Sequence, residues 1–174
     1  MHSIFSFLSS RGHWLLLASV SLVMLLVALY YQYSLGEEPC QVCIQARLWV
    51  VALLLVSICA ACLPNLPGIR LGGNVLALFC AGALGERAWF LYQLENGIGN
   101  SSCEFQLGMP DWFAVDQWFP ALFEVRNLCS FTPDMLFGFS MAEGLLLSSG
   151  LLTAVIGCAL AVSQMTLHAV PKTN

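Results

Sequence analysis

Long apolar runs separated by polar connections are the main pattern of the chain. Four runs hold the roughly 20 apolar residues that a helix needs to cross a bilayer, and they cover residues 14–33, 44–63, 74–94 and 136–163. A chain inside lipid must satisfy its backbone hydrogen bonds internally, so such runs form helices that pack against one another. The pattern therefore predicts an all-α membrane protein, a bundle of four transmembrane helices in a single domain over residues 1–174.

The composition agrees with this prediction. Hydrophobic residues make up 59% of the 174 residues and charged residues only 9%, which is too apolar for a soluble domain of this size. The first run is longer than the roughly 7–15 residues of a signal-peptide core, so we expect it to be retained as a helix. We expect the lipid bilayer to surround the chain, and we expect no nucleic acid partner.

The distribution of positive charge predicts the orientation of the bundle. With a cytoplasmic N-terminus, Arg11, Arg70 and Lys172 lie on the inner side, and the outer connections contain Arg126. This bias follows the positive-inside rule for short connections. We therefore expect both termini in the cytoplasm and the long connection, residues 95–134, on the outer side.

The long connection contains two contrasting segments. Residues 96–102 are mostly Asn, Gly and Ser and lead directly to Cys103, a composition that predicts a pliable segment. Residues 109–120 alternate Trp, Phe and Val with acidic residues at near-helical spacing. This pattern predicts a short helix that lies in the membrane interface with its apolar side down.

A Pro-Cys-x-x-Cys sequence lies where the second apolar run meets water. Pro39 is expected in the first helical turn, which puts Cys40 and Cys43 on one face of the helix start. The helix dipole there favours a thiolate over a thiol. Arg47 is one turn deeper on the same face, where a cation can stabilise a thiolate or a polar ligand head. These features predict a redox site at the membrane surface.

The eight cysteines fall into two groups of four. One group lies in or beside the outer connections: Cys40, Cys43, Cys103 and Cys129. Zinc could take four thiolates, but structural zinc sites usually use two close cysteine pairs and this group has one, so we expect no metal. Attachment of haem c needs a His directly after the second cysteine, and that residue is Ile44. Inert structural disulfides remain an alternative to redox chemistry.

The other group lies inside the apolar runs: Cys59, Cys62, Cys80 and Cys158. We expect these thiols to pack as small buried hydrophobes. Glu86 and Arg87 interrupt the third run. Adjacent residues of a helix do not face each other, so we do not expect them to form a self-contained ion pair. Arg87 then either snorkels to water or lies near a polar ligand head.

These features together resemble the DsbB family, bacterial inner-membrane disulfide-bond formation proteins that use quinone to reoxidise periplasmic DsbA. The shared features are four helices, Pro-Cys-x-x-Cys with an Arg four residues on, and two further cysteines in a long outer connection. The resemblance covers nearly the whole chain, including Cys103-Glu104-Phe105 and Pro110-Asp111-Trp112. It implies a thiol:quinone oxidoreductase with its redox connections in the periplasm.

The resemblance also implies a role for each matching residue. Cys103 and Cys129 would form the disulfide that meets the DsbA-like partner, with Cys103 attacked to give the mixed disulfide. Cys40 and Cys43 would form the membrane-proximal disulfide. Cys43 would lie next to the quinone, either ubiquinone or menaquinone, and Arg47 matches the family's quinone-site arginine.

The chain departs from some relatives near this site. Gln45 and Ala46 precede Arg47 where some relatives have an aromatic residue and an acid, and no His lies between His13 and His168. Two alternative functions also stay open. One is a reductase that runs in the opposite direction, as quinone-linked epoxide reductases of similar architecture do. The other is a structural or assembly membrane protein with two inert disulfides.

Overall fold

Four long helices and a set of short turns make up the described part of the protein. The computed structural model describes residues 10–64, 66–98, 107–127 and 140–169. In chain order the elements are α1 (Arg11–Ser34), α2 (Gln41–Cys62), α3 (Pro67–Glu95), a 3-10 turn (Asp111–Phe113), α4 (Val115–Trp118), α5 (Pro120–Phe123) and α6 (Met141–Ala169). Four helices, α1, α2, α3 and α6, are long and apolar enough to cross a membrane. The predicted all-α, four-helix class is confirmed.

Two helix ends differ from the sequence prediction. The third helix begins at Pro67 rather than near residue 74, because proline is well tolerated in the first helical turn and the three glycines before residue 74 do not stop the helix. The last helix extends beyond residue 163 to Ala169. The predicted start of that helix, residues 136–139, lies outside the described residues.

The long helices pack in a defined order that leaves one gap. α1 packs on α2, α2 on α3, and α3 on α6. α1 and α6 are not in close contact along their described lengths. In the described part of the chain the bundle is therefore open between α1 and α6.

Small residues let α3 approach its neighbours closely. Ala77, Ala81 and Ala88 are fully buried on one face of α3. A Cβ atom added at Gly73 would lie 3.0 Å from the Trp14 ring of α1. Lipid tails give no hydrophobic drive for helix association, so membrane helices gain their contacts by this close approach.

The dithiol end is the end of the bundle where α1 and α3 finish and α2 and α6 begin. Ser140 and Glu143 cap α6 reciprocally, since the Glu143 N–H donates to Ser140 Oγ and the Ser140 N–H donates to Glu143 Oε2, both at 3.2 Å. This is a capping box. Ser140 Oγ also donates to Glu95 Oε2 at 2.7 Å, so the end of α3 is joined to the start of α6.

The segment 107–127 covers the side of α2 near the dithiol end. It folds as three short turns instead of the single interfacial helix that the sequence predicts over residues 109–120. The backbone leaves helical geometry at Ala114 and Phe119, where ψ is 68° and 65°. Phe119 precedes a proline, which disfavours the helical conformation. Trp112 and Trp118 are exposed, as expected for aromatic side chains at a membrane surface.

Candidate redox site

The first turn of α2 is capped by a cysteine. Cys40 is the N-cap residue, and its sulfur accepts a hydrogen bond from the Cys43 N–H at 3.3 Å. A thiol thus takes the role that Ser, Thr, Asn or Asp usually has. The placement of Pro39 in the first helical turn is wrong, because Pro39 precedes the cap. Its carbonyl accepts the N–H groups of Arg126 and Asn127 at 3.0 and 3.3 Å.

The two sulfur atoms of the Cys-x-x-Cys sequence lie 2.7 Å apart. A small movement brings them to the roughly 2.05 Å of a disulfide bond. Cys40 is buried and Cys43 is half-buried. The hydrogen bond to the Cys43 sulfur, together with burial, raises the pKa of the Cys40 thiol above its ordinary value.

Arg47 lies one turn deeper than Cys43 and is only 7% exposed. Its guanidinium donates to Gln32 Oε1, to the Ala28 carbonyl at 3.1 Å and to the Leu122 carbonyl at 3.2 Å. These bonds join α1, α2 and α5 around one cation. A guanidinium has five N–H donors, and two of them make no hydrogen bond within the described part of the chain.

Cys43 and Arg47 line the same cavity. This cavity has a volume of about 280 Å³ and lies between α1 and α6, where the two helices leave a gap. Apart from Cys43 and Arg47, the walls are almost entirely apolar, with Met24, Ala28, Val50, Leu91 and Leu145 among them. The cavity suits an apolar ligand that carries a hydrogen-bond acceptor for the guanidinium.

The second predicted pair, Cys103 and Cys129, lies outside the described residues. Its nearest described neighbour in sequence, Asn127, forms an isolated parallel bridge with Cys40. Among the residues that the structure describes, no three His, Cys, Asp or Glu side chains are grouped to hold a metal ion. The expectation of no metal stays a prediction, because two of the four cysteines are not among those residues.

The remaining cysteines do not all pack as expected. Cys80 is buried in the core, as predicted. Cys59, Cys62 and Cys158 are exposed on the helix surfaces, so the expectation that they pack inside is wrong for these three. Their positions lie on helices that can cross a membrane, where lipid gives a small apolar side chain the same surroundings as a protein core.

Glu86 and Arg87 do form an ion pair, contrary to the sequence prediction. Arg87 Nε lies 2.6 Å from Glu86 Oε2, and Arg87 Nη2 lies 3.1 Å from Glu86 Oε1. The two Cβ atoms diverge, as adjacent helical positions do, but the long side chains bend back and meet. Arg87 Nη1 also donates to Gln45 Oε1 at 3.1 Å.

Sequence reasoning missed several residues around the site. Gln32 is buried and accepts a hydrogen bond from Arg47. The sequence signal that could have identified it is a polar amide side chain within an apolar run. Tyr33 donates to the Ala121 carbonyl at 2.6 Å and fastens α5, although its sequence context indicated only an interfacial aromatic. The contribution of α6 to the cavity, through Met141 and Gly144, had no local signal because it depends on how distant helices pack.

Comparisons with known proteins agree with one another. The family model for disulfide bond formation protein DsbB matches residues 10–159. Disulfide bond formation protein B of Mannheimia succiniciproducens is 36% identical over 149 residues, which cover 84% of this chain and 83% of that relative. Disulfide bond formation protein B 2 of Pseudomonas aeruginosa is 35% identical over 140 residues, covering 78% of this chain and 81% of the relative. Disulfide bond formation protein B of Psychromonas ingrahamii is 34% identical over 145 residues, covering 82% and 78%.

Proposed function

This chain belongs to the DsbB family of disulfide bond formation proteins, and from that premise we propose that it carries electrons from a DsbA-like thiol oxidase to membrane quinone. The family makes it an oxidoreductase of disulfide formation, and its four apolar helices make it a multi-pass membrane protein of a bacterial inner-membrane family. The observation that carries the proposal is the shared cavity of Cys43 and Arg47, which adjoins a close pair of sulfur atoms.

The cavity fits a quinone head. Its apolar walls suit a ring with an isoprenoid tail, and the gap between α1 and α6 admits such a tail from the bilayer. Arg47 would donate one of its remaining N–H groups to a quinone oxygen, and Cys43 would face the ring. When bound, a quinone accepts two electrons and two protons. Conversion of the Cys40 and Cys43 thiols to a disulfide releases the same number of each.

Cys40 and Cys43 have different roles in this proposal. Cys43 lines the cavity whereas Cys40 is buried beside it as the N-cap. The raised pKa of Cys40 keeps its proton in place, and the nearby Arg47 cation favours negative charge on Cys43. Cys43 is therefore the sulfur that faces the acceptor, and Cys40 is the sulfur that closes the disulfide.

The outer pair would connect this site to the partner. A thiolate of the reduced partner attacks Cys103 of a Cys103–Cys129 disulfide, and a second thiolate resolves the mixed disulfide, which leaves Cys103 and Cys129 reduced. The new dithiol then reduces the Cys40–Cys43 disulfide. The bridge between Cys40 and Asn127 supports this route. Cys129 follows Asn127 by two positions, a span of at most about 7 Å of extended chain.

Redox energetics support a quinone as the final acceptor. DsbA has a reduction potential near −120 mV, while ordinary structural disulfides lie below about −300 mV. An ordinary disulfide that oxidised such a partner would face roughly 180 mV, about 8 kcal/mol, in the unfavourable direction. An acceptor beyond the protein thiols must therefore drive the reaction, and either ubiquinone or menaquinone can reach the cavity through the membrane.

The partner and the orientation belong to the same proposal. A DsbA-like oxidase works in the periplasm, so the dithiol end would face the periplasm with both termini in the cytoplasm. The two alternative functions receive no support. The relatives are named for disulfide bond formation rather than for reduction of substrates, and inert disulfides would not explain why a dithiol adjoins a cavity with a buried cation.

The test is anaerobic quinone reduction by the full-length protein purified in detergent, with a reduced DsbA-like oxidase as electron donor. We expect the parent to reduce the quinone. We expect the Cys43→Ala variant to lose at least about a thousandfold in rate, because no sulfur then faces the acceptor. Absence of quinone loss in the parent, with folding shown by a single symmetric size-exclusion peak, would contradict the proposal.

The matched control replaces the other Cys-x-x-Cys pair, Cys59 and Cys62, with Ala. Both residues lie at the opposite end of α2 and are exposed, so the double variant should keep its rate within tenfold of the parent. A larger loss would count against the assignment of the redox cysteines.

A further inference from the structure

A second cavity lies on the other side of α2. It is bounded by α2, α3 and segment 107–127 and has a volume of about 760 Å³. It shares no lining residue with the cavity of Cys43 and Arg47. Trp49, Ala52, Leu55 and Ala83 form an apolar wall of this cavity.

One end of this second cavity is polar. Glu86, Arg87 and Gln45 line it there, and the Arg87 guanidinium bonds to both of the other side chains. Two of the five N–H groups of Arg87 make no hydrogen bond to the residues that the structure describes. The Glu86 side chain is 59% exposed, so its carboxylate oxygens can accept further donors.

The position of this ion pair along α3 needs an explanation. Glu86 is nine residues before the end of α3 at Glu95, which corresponds to about 13 Å along the helix. Charged side chains within a membrane-spanning helix usually have a functional partner. The pair is only partly shielded by the protein, since the Arg87 side chain is 34% exposed.

Aromatic side chains mark the level of the membrane surface at the same place. Trp118 and Phe119 line the cavity and are 56% and 58% exposed. Such aromatic residues are enriched where lipid head groups meet the acyl chains. The polar end of the second cavity is therefore at head-group level, with its apolar wall below.

We propose that the second cavity binds a zwitterionic phospholipid whose head group carries a primary ammonium, that is, a phosphoethanolamine lipid. The phosphate would accept hydrogen bonds from Arg87, the ammonium would donate to Glu86, and one acyl chain would follow the wall of Trp49, Ala52 and Leu55. A cation and an anion side by side match the two charges of such a head group.

The same charges argue against other lipids. A quaternary choline ammonium has no N–H to donate to Glu86, so it forgoes the hydrogen bond. An anionic lipid would place its charge beside the Glu86 carboxylate without an ammonium to offset it. A quinone has no charge that would use the ion pair.

The experiment is native mass spectrometry of the full-length protein released from mixed micelles. The micelles contain equal mole fractions of phosphatidylethanolamine, phosphatidylcholine and phosphatidylglycerol with identical acyl chains. We expect retention of one phosphatidylethanolamine with about a tenfold preference over phosphatidylcholine, the size of one charge-assisted hydrogen bond. Glu86→Gln should remove this preference, and Arg87→Gln should weaken retention of both zwitterionic lipids.

The matched control is Glu124→Gln, which breaks an exposed ion pair with Arg126 of the same 2.6 Å length and lies outside the cavity lining. It should leave lipid retention unchanged. If Arg87→Gln does not fold, Glu86→Gln decides alone, because its carboxylate is exposed and its folding is checked by size exclusion and circular dichroism. Equal retention of all three lipids, or preferred retention of phosphatidylglycerol, would overturn the proposal.

Discussion

The Arg47 side chain both links neighbouring helices through hydrogen bonds and lines the cavity beside Cys43. Its hydrogen bonds to Gln32 and to the carbonyls of Ala28 and Leu122 fix the guanidinium in place. Arg47 also lines the cavity that Cys43 lines. A cation held by neutral acceptors keeps its full charge for whatever enters the cavity, because no carboxylate among these partners neutralises it.

We expect Arg47→Ala to raise the KM for quinone about tenfold or more, since a hydrogen bond to a charged donor contributes about 1.5–3 kcal/mol. The quinone KM of Arg47→Lys should lie between those of Arg47→Ala and the parent, because lysine keeps the charge but not the planar set of donors. The measurement is the quinone dependence of the steady-state rate.

The KM for the thiol donor should not change in the Arg47 variants, which separates a ligand contact from a general loss of structure. Arg11→Gln, at the opposite end of α1, is the control and should match the parent. An unchanged quinone KM in Arg47→Ala would refute the proposed contact.

At the residue scale the sequence was informative where chemistry is local. The Cys-x-x-Cys spacing and the Arg four residues later were enough to predict a shared site. The role of Cys40 as a cap was not predicted, because a thiol is an unusual N-cap. The Glu86–Arg87 pair was missed because the prediction used Cβ directions and ignored the reach of long side chains.

At the scale of elements, segment 107–127 is fastened to the bundle at a few points. Tyr33 and Arg47 hold α5 through the carbonyls of Ala121 and Leu122, and Gln45 Nε2 donates to the Leu107 carbonyl at 3.1 Å. A buried cluster that includes Ile44, Leu107, Val115 and Phe123 lies beneath these bonds. Short turns with few internal hydrogen bonds depend on such external contacts.

We expect Tyr33→Phe to loosen α5 specifically. The lost hydrogen bond contributes about 1 kcal/mol, so amide hydrogen exchange over residues 120–123 should accelerate about fivefold. The measurement is hydrogen–deuterium exchange by mass spectrometry.

Tyr30→Phe is the control for this prediction, because Tyr30 is also exposed near the end of α1 and its described interaction is a ring contact with Tyr31. Exchange in that variant should match the parent. Equal rates in Tyr33→Phe and the parent would mean that Arg47 and the apolar cluster hold α5 without a contribution from the Tyr33 hydroxyl.

The apolar runs predicted the long helices because the membrane imposes a minimum length on them. The short elements were harder to predict. In segment 107–127 the near-helical spacing of apolar residues was real, but the backbone leaves helical geometry at Ala114 and again at Phe119, which precedes a proline. In α3 the predicted start was too late, because the prediction followed the apolar run, whereas the helix also includes the glycine-rich residues 67–73.

At the scale of the whole molecule, α2 separates two cavities. Residues 43, 46, 47 and 50 face one cavity, and residues 45, 48, 49 and 52 face the other. Residues three or four positions apart share one side of a helix, so these two sets of residues lie on different sides of α2. The sequence could not reveal this division, because it depends on where α1, α3 and α6 lie around α2.

The few basic residues of the chain predict the orientation of the whole bundle, and this orientation can be measured. In a variant without native cysteines, we expect Glu37→Cys to react with a membrane-impermeant maleimide in intact spheroplasts. We expect Leu66→Cys, exposed in the connection at the opposite end, to react only after lysis.

Both positions are exposed in the structure, so each serves as the reactivity control for the other after lysis. The reverse labelling pattern would put the dithiol end in the cytoplasm. That result would contradict both the positive-inside prediction and the proposed periplasmic partner.

The two hydrogen bonds at the Pro39 carbonyl have a mechanical consequence. They join the residue before Cys40 to Arg126 and Asn127, so a load applied to the chain beyond residue 127 is transmitted to the cap of α2. Breaking the two backbone hydrogen bonds between Pro39 and residues 126 and 127 costs about 1–3 kcal/mol of free energy. A protein that docks on the chain beyond residue 127 and pulls on it would thereby also change the distance between the two sulfur atoms. The Cys40–Cys43 pair would then respond to docking before any electron is transferred.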